Sequence, residues 1–222
     1  MAQVVIRNRA VHDPICEMPI VDAYMNWALH AAEEVVGKQG LNILLREAGL
    51  ERLIGNYPPR QLTASGNFTF ADYTNLCVGL LTFYGRAGKS MTLRIGRLSA
   101  KYGIEQQGQT FGLAALVASK MLPVAMQLRL GLEAMQAGYR VMMPGMKHSV
   151  EDRGEKWAYV SETCPICAGK EASEQMCWVF NGVLQETSRW QTGKDFDVEE
   201  VACRATSGPA CVWEISKKPK EQ

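Results

Sequence analysis

Residues 196–215 read FDVEEVACRATSGPACVWEI. Phe196–Ala205 and Cys211–Ile215 are each predicted as a strand, and Thr206-Ser-Gly-Pro209 between them is a turn signal. Upstream, Ala172–Thr192 is predicted as a helix: Met176, Val179, Val183, Glu186 and Trp190 recur at three or four, and Gly193 stops the run. Further upstream, His148–Val150 and Trp157–Val160 read as a hairpin around Asp152-Arg153-Gly154, followed by Cys164-Pro-Ile-Cys167 in a loop. The order strand, strand, helix, strand, strand predicts an antiparallel mixed lobe over 146–216, within an α/β fold of the α+β kind.

The part before residue 145 has a different period. Asp22 is expected to cap a helix over Ala23–Val36, with Met25, Leu29, Ala32 and Val36 on one face and Gly37 and Gly40 at its end. Leu41–Ala48 reads as a second helix and Gly49–Gly55 as a short third. Tyr57-Pro58-Pro59 is a turn, because a residue before proline avoids the helical region. Phe70–Tyr84, Gly88–Tyr102 and 109–137 are predicted helical, the last interrupted at Pro123. Residues 1–20 show no clear period, and 217–222 are expected to form a loose polar tail. The whole of 1–222 is read as one domain: 1–145 mostly helical and 146–216 mixed.

Lys plus Arg number 24 and Asp plus Glu 23, a net charge of +1. Bulk phosphate binding needs a basic excess, so direct nucleic-acid binding is not expected. The most apolar region, Phe111–Leu132, is broken by Lys120, Pro123, Gln127 and Arg129, so no membrane span is expected. The first twenty residues lack an apolar core of signal-peptide length. With seven cysteines, an odd number that suits free thiols or metal ligands, a cytoplasmic protein is expected.

Several motifs fail. Gly85-Arg-Ala-Gly-Lys-Ser90 ends like a phosphate loop, but Phe83 stands where its first glycine belongs; a tight helix–helix contact through Gly85, Ala87 and Gly88 is expected instead. No nicotinamide or flavin fingerprint and no GxSxG elbow occur. His12, His30 and His148 are far apart and read as surface or satisfied core residues.

The cysteines carry more chemistry. Cys177, Glu200, Cys203 and Cys211 offer three thiolates and a carboxylate, a full tetrahedral set for a structural zinc. Cys177 would lie in the first turns of a helix, and the strand must bulge to bring residues 200 and 203 to one face. The alternative is that Cys177 and Cys203 are buried small hydrophobes. Cys164 and Cys167 form a second metal-compatible or redox pair; they could join Cys203 and Cys211 in an all-cysteine site, or form a plain turn. An iron–sulfur cluster on these cysteines is the other metal alternative. Cys16 and Cys77 look like isolated core positions.

Taken together, Cys164-Pro-Ile-Cys-Ala-Gly169, Cys177, Val198-Glu-Glu-Val-Ala-Cys203, Gly208-Pro-Ala-Cys211 and Val212-Trp-Glu-Ile215 resemble the 4-vinyl reductase domain family over about 145–216. The family includes a small bacteriochlorophyll-pathway protein and the sensor domains of aromatic-responsive activators. The resemblance implies a fold similar to TRAPP subunits, dimerisation through helices, and zinc on Cys177, Glu200, Cys203 and Cys211, which stand at the sensors' ligand spacings. It leaves Cys164 and Cys167 outside that set. The sensors continue into ATPase and DNA-binding modules, so a chain of this length is expected to signal, if it senses, through a partner chain.

The expected function is a zinc-stabilised carrier or accessory protein for a hydrophobic ligand, a tetrapyrrole intermediate of bacteriochlorophyll biosynthesis, acting as a homodimer. Met121, Met126, Met135, Met142, Met143 and Met146 suit an irregular apolar ligand or an ordinary core. Two alternatives stay open: a vinyl reductase, which needs a hydride or electron source, and a stand-alone sensor of aromatic compounds. A third is an interaction scaffold built on an exposed apolar helical face.

Overall fold

The computed structural model describes residues 4–108 and 119–221. Among them are five α-helices: α1 (Asp22–Glu47), α2 (Phe70–Phe83), α3 (Gly88–Gln107), α4 (Val124–Met142) and α5 (Trp178–Thr192). The strands are β1 (Ile6–Asn8), β2 (Pro19–Ile20), β3 (Phe68–Thr69), β4 (His148–Arg153), β5 (Lys156–Ser161), β6 (Lys170–Ala172), β7 (Val198–Ala202) and β8 (Cys211–Ser216). An antiparallel sheet of order β4-β5-β8-β7 carries α5 on its inner face, and the pairs β1-β6 and β2-β3 stand apart from it.

The α+β expectation holds, with several boundaries corrected. The two helices expected over 23–36 and 41–48 form one element, α1, whose path breaks at Gly37 (φ 74°). Asp22 does not cap it. Val21 holds the cap position, and the Asp22 carboxylate instead accepts from Ser65 Oγ and the Gly66 amide. The third expected helix is a 3₁₀ turn at Glu51–Leu53. α2 starts at a capping box in which Thr69 and Asp72 exchange side-chain and backbone hydrogen bonds. Of the helix expected over 109–137, residues 109–118 lie outside the described residues. Ser119–Met121 is a 3₁₀ turn, and α4 restarts after Pro123 and runs on to Met142.

The start of α5 is the largest correction. Ala172 belongs to β6, which pairs with β1, so the helix begins at Trp178 and Cys177 is its N-cap. The hydrogen bonds of β6 go to residues at the far end of the chain, which no local period reveals. The C-terminal tail, expected to be loose, returns along the sheet: the Lys217 amide donates to the Glu155 carbonyl (3.0 Å) and the Lys220 amide to that of Asp195 (2.8 Å).

Helices α3 and α5 cross at backbone contact. A Cβ on Gly96 would lie 1.9 Å from the Val179 carbonyl oxygen, and one on Gly182 would lie 2.0 Å from that of Leu93. Glycine is therefore required at both positions. One apolar core runs from Met25, Leu29 and Leu44 through Tyr73 to Phe180, Trp213 and Ile215. On β8, Cys211, Trp213 and Ile215 face inward, opposite Ser161, Tyr159 and Trp157 of β5. None of the helices among the described residues is long and apolar enough to cross a membrane.

Candidate metal centre and apolar cavity

Five cysteines and one glutamate converge where α5 meets the sheet. β7 and β8 pair with Glu200 opposite Trp213, then Ala202 opposite Val212, so the register shifts between them. This is the expected bulge. It turns Glu200 and the following Cys203 to the same inner face as Cys211. The Cys203 sulfur lies 3.9 Å from that of Cys211 and 3.8 Å from that of Cys177, which is itself 3.9 Å from Cys211. Glu200 Oε2 accepts from the Cys177 amide at 3.0 Å. Its other oxygen, Oε1, is buried with no hydrogen-bond partner, an unsatisfied ligand atom of the kind a cation completes. The donor atoms of Cys177, Glu200, Cys203 and Cys211 all lie within 4.8 Å of one another.

The CxxC pair, left outside this set by the resemblance, is brought into the same cluster. Cys164 Sγ lies 3.7 Å from Cys177 Sγ, and Cys167 Sγ lies 3.4 Å from Cys211 Sγ. Cys164, Cys167, Cys177 and Cys211 form a second group whose donors lie within 4.8 Å of one another. The four-donor group that takes in Cys164 and Cys167 also holds Cys211, as one sequence alternative had it, with Cys177 where that alternative placed Cys203. Cys77 is not an isolated core position either: burial raises its thiol, and Cys164 and Cys167 lie close enough to raise it further. Cys16 sits apart, beneath Gly169.

Residues from distant parts of the chain hold the CxxC loop. Thr74 of α2 donates to the Pro165 carbonyl (2.7 Å) and accepts from the Ala168 amide (3.1 Å). Asp13 accepts from the Gly169 amide (3.1 Å) and pairs with Arg204 (3.0 Å), next to Cys203. Burial opposes the Asp13 charge, but the Gly169 amide and the Arg204 guanidinium hold its carboxyl below the usual value. The Arg204 amide in turn donates to Cys211 Sγ at 3.4 Å. The sequence offered no local signal for Asp13, Thr74 or Arg204.

Without a cation the cluster resists full ionisation. Burial, aided by the neighbouring Cys203, pushes the Glu200 carboxyl up to about 10. Burial also raises the Cys177 and Cys211 thiols. Cys164 contact raises Cys167, but hydrogen bonds from the Cys177, Cys203 and Cys211 thiols outweigh it and bring Cys167 down to about 6. A divalent ion at the centre would favour the ionised form of every donor it binds, because coordination deprotonates thiols outright.

The other candidates are structural. Gly85 takes a left-handed turn (φ 54°), Ala87 is exposed, and Gly88 alone makes the expected helix contact, its Cβ position 1.9 Å from the Leu81 carbonyl oxygen. His12 is an exposed partner of Glu17, and His30 lies edge-on to Tyr57. His148 packs against Tyr139, Tyr159 and Phe180, with Nδ1 2.7 Å from the Tyr159 hydroxyl.

A cavity of about 90 Å³ lies between α1, α3, α4 and α5. Tyr24, Trp27, Tyr139 and Trp190 supply its aromatic walls, while Ala100, Gly103, Gly131, Ala134 and Gly138 keep it open. Of the six methionines singled out in the sequence, Met135 and Met142 line it, and Met143 and Met146 are buried in the core. Met121 (94% exposed) and Met126 (50%) face solvent.

The family model of the V4R domain matches residues 157–217, all but the last of which lie in the segment picked out by the cysteine motifs. These residues run from β5 to the end of β8, and therefore include every member of the cysteine cluster. No curated protein sequence matches the chain. Among solved structures, the chain is similar to the Fe(II) unliganded H-NOX protein from K. algicida, at 14% identity, with 91% of this chain and 98% of that chain covered and a TM-score of 0.58. It is also similar to an S. oneidensis H-NOX protein in the Fe(II)NO ligation state (8% identity, 88% and 99% covered, TM-score 0.53). A mutant of T. tengcongensis H-NOX gives 16% identity, 90% and 99% coverage and a TM-score of 0.53. These likenesses establish a shared fold.

Proposed function

We propose that this chain, with its V4R domain, is a zinc-stabilised binding protein for a small apolar compound. The observation that carries the metal half is the orphaned, buried Glu200 Oε1 beside three cysteine sulfurs 3.8–3.9 Å apart. A tetrahedron of thiolates around zinc, with Zn–S about 2.3 Å, has an edge of about 3.8 Å. Three thiolates packed this closely surround a single ion, whereas in an iron–sulfur cluster at most two cysteines share one iron and the others stand farther off. Zinc bound by Cys177, Glu200, Cys203 and Cys211 has no open position, so its role is to tie the N-cap of α5 to the β7–β8 hairpin. Replacing Cys203 by Ser is expected to remove this zinc and to melt the sheet lobe at lower temperature. Unchanged zinc content and melting in C203S would contradict the assignment.

The ligand half rests on the aromatic cavity. Its roughly 90 Å³ is of the same order as the ~150 Å³ apolar cavities that hold benzene, and well below the roughly 300 Å³ and more of typical ligand clefts. Of the two expected ligand classes, a single-ring aromatic compound fits this space. A tetrapyrrole, and with it a carrier or reductase role in bacteriochlorophyll synthesis, exceeds this half-open space and would have to extend past Trp190 into solvent or part the helices. The chain would thus act as a sensor, with ligand occupancy altering the packing of α1, α3, α4 and α5 and the change read by a partner chain. Titration with phenol and with toluene, followed by tryptophan fluorescence and melting, tests this, since Trp27 and Trp190 line the space. Saturable quenching and a higher Tm are expected, both lost in Ala134→Leu, which fills the cavity. No response to either compound would contradict it.

A further inference from the structure

The two four-donor groups in the cysteine cluster share two atoms, the sulfurs of Cys177 and Cys211. One group adds Cys164 and Cys167, and the other adds Glu200 and Cys203. We propose that the cluster is a dinuclear centre, in which Cys177 and Cys211 bridge two divalent ions of the zinc class and the CxxC pair completes the second site. This rests on the assignment of zinc to Cys177, Glu200, Cys203 and Cys211, and extends it.

The geometry carries the inference in three ways. First, Cys164 approaches Cys177 at 3.7 Å and Cys167 approaches Cys211 at 3.4 Å, so each CxxC sulfur stands against a different shared sulfur. These separations are near the ~3.8 Å edge of a zinc–thiolate tetrahedron, and they place the CxxC pair across the Cys177–Cys211 edge. Two tetrahedra that share an edge use six donors to give each of two ions four ligands, and six donors are present. Second, all six residues are buried, so no water competes for either position. Third, the CxxC loop is fixed from outside the cluster: Thr74 satisfies the Pro165 carbonyl and the Ala168 amide, and Asp13 holds the Gly169 amide. A pair of spare core thiols would not need a loop clamped from two remote segments.

Metal counting on the full chain by native mass spectrometry tests the proposal. Two zinc ions per chain are expected. The double variant C164S/C167S should retain one, and Cys203→Ser should also retain one. Cys211→Ser should retain none, because it removes a bridge from both sites. One zinc per wild-type chain would overturn the dinuclear centre while leaving the single site intact; no zinc would overturn both. Because misfolding of a variant would itself abolish metal binding, the wild-type protein loaded with ¹¹³Cd provides a second reading that needs no mutation. Two ¹¹³Cd resonances coupled to each other through the bridging sulfurs are expected. A single resonance, or two uncoupled ones, would overturn the bridge.

Discussion

At the scale of single residues, His148 shows how burial sets a charge state. Burial pushes its imidazole down from 6.5 to about 4, and the ring is stacked at 5.2 Å from Tyr139 and hydrogen-bonded to the Tyr159 hydroxyl. The folded protein therefore keeps the ring neutral, while the unfolded chain takes up a proton once the pH falls below 6.5. Stability from this residue is complete above pH 6.5 and is lost as the pH falls towards 4. The loss reaches at most about 3 kcal/mol, less for a ring that is only half-buried. Urea denaturation at pH 7 and pH 4.5 should show it, and His148→Gln should flatten the difference. Equal pH dependence in both proteins would contradict the reading. Asp13 works in the opposite sense: it supplies the charge for the buried Arg204. Asp13→Ala removes the carboxylate partner of that largely buried guanidinium, and a loss of about 1–3 kcal/mol is expected in denaturant titration. A change below about 1 kcal/mol would mean that the pair does not hold the CxxC loop.

At the scale of elements, the crossing of α3 and α5 is the most constrained contact. Gly96 and Gly182 let the two backbones touch, and a methyl group at either would meet a carbonyl oxygen at about 2 Å. Gly182→Ala is expected to cost about 3 kcal/mol or more, since backbone cannot give way as a side chain can. For a chain of this size that is a fall in Tm of roughly 6–12 °C. A variant that melts with the wild type would show that the helices can separate without loss. The bulge at the end of β7 is the other decisive element. The requirement that residues 200 and 203 face the same way was legible in the sequence, and the register shift meets it. The hairpins, α2 and the break at Gly37 were legible for the same reason, because turn residues and apolar periods are local signals. The start of α5 was not. Ala172 has a helical neighbourhood in sequence but a strand partner, Ile6, at the other end of the chain. Long-range pairing overrode the local period there.

At the scale of the whole molecule, the candidate site is assembled from segments that the sequence could not connect. Spacing grouped Cys177, Glu200, Cys203 and Cys211, and the structure brings their donor atoms within 4.8 Å of one another because one helix and one hairpin carry them. Cys164 and Cys167 join them only because Thr74 of α2 and Asp13 near the N-terminus hold their loop in place. The cavity was equally hidden: its walls come from four helices, and what opens it is a set of glycines and alanines rather than a motif. The methionine-rich stretch pointed to the right region, but only two of the six methionines reach the space, where Tyr24, Trp27, Tyr139 and Trp190 supply the larger walls.

The proposed metal ties these scales together, and one measurement checks it directly. Protein purified without added metal can be analysed for zinc, iron and sulfide alongside its visible absorption spectrum. Zinc with no visible band, and a large fall in Tm on chelation, is the outcome expected for closed thiolate–carboxylate coordination. Iron and sulfide with broad visible absorption, or a fully folded protein that contains no metal, would contradict it.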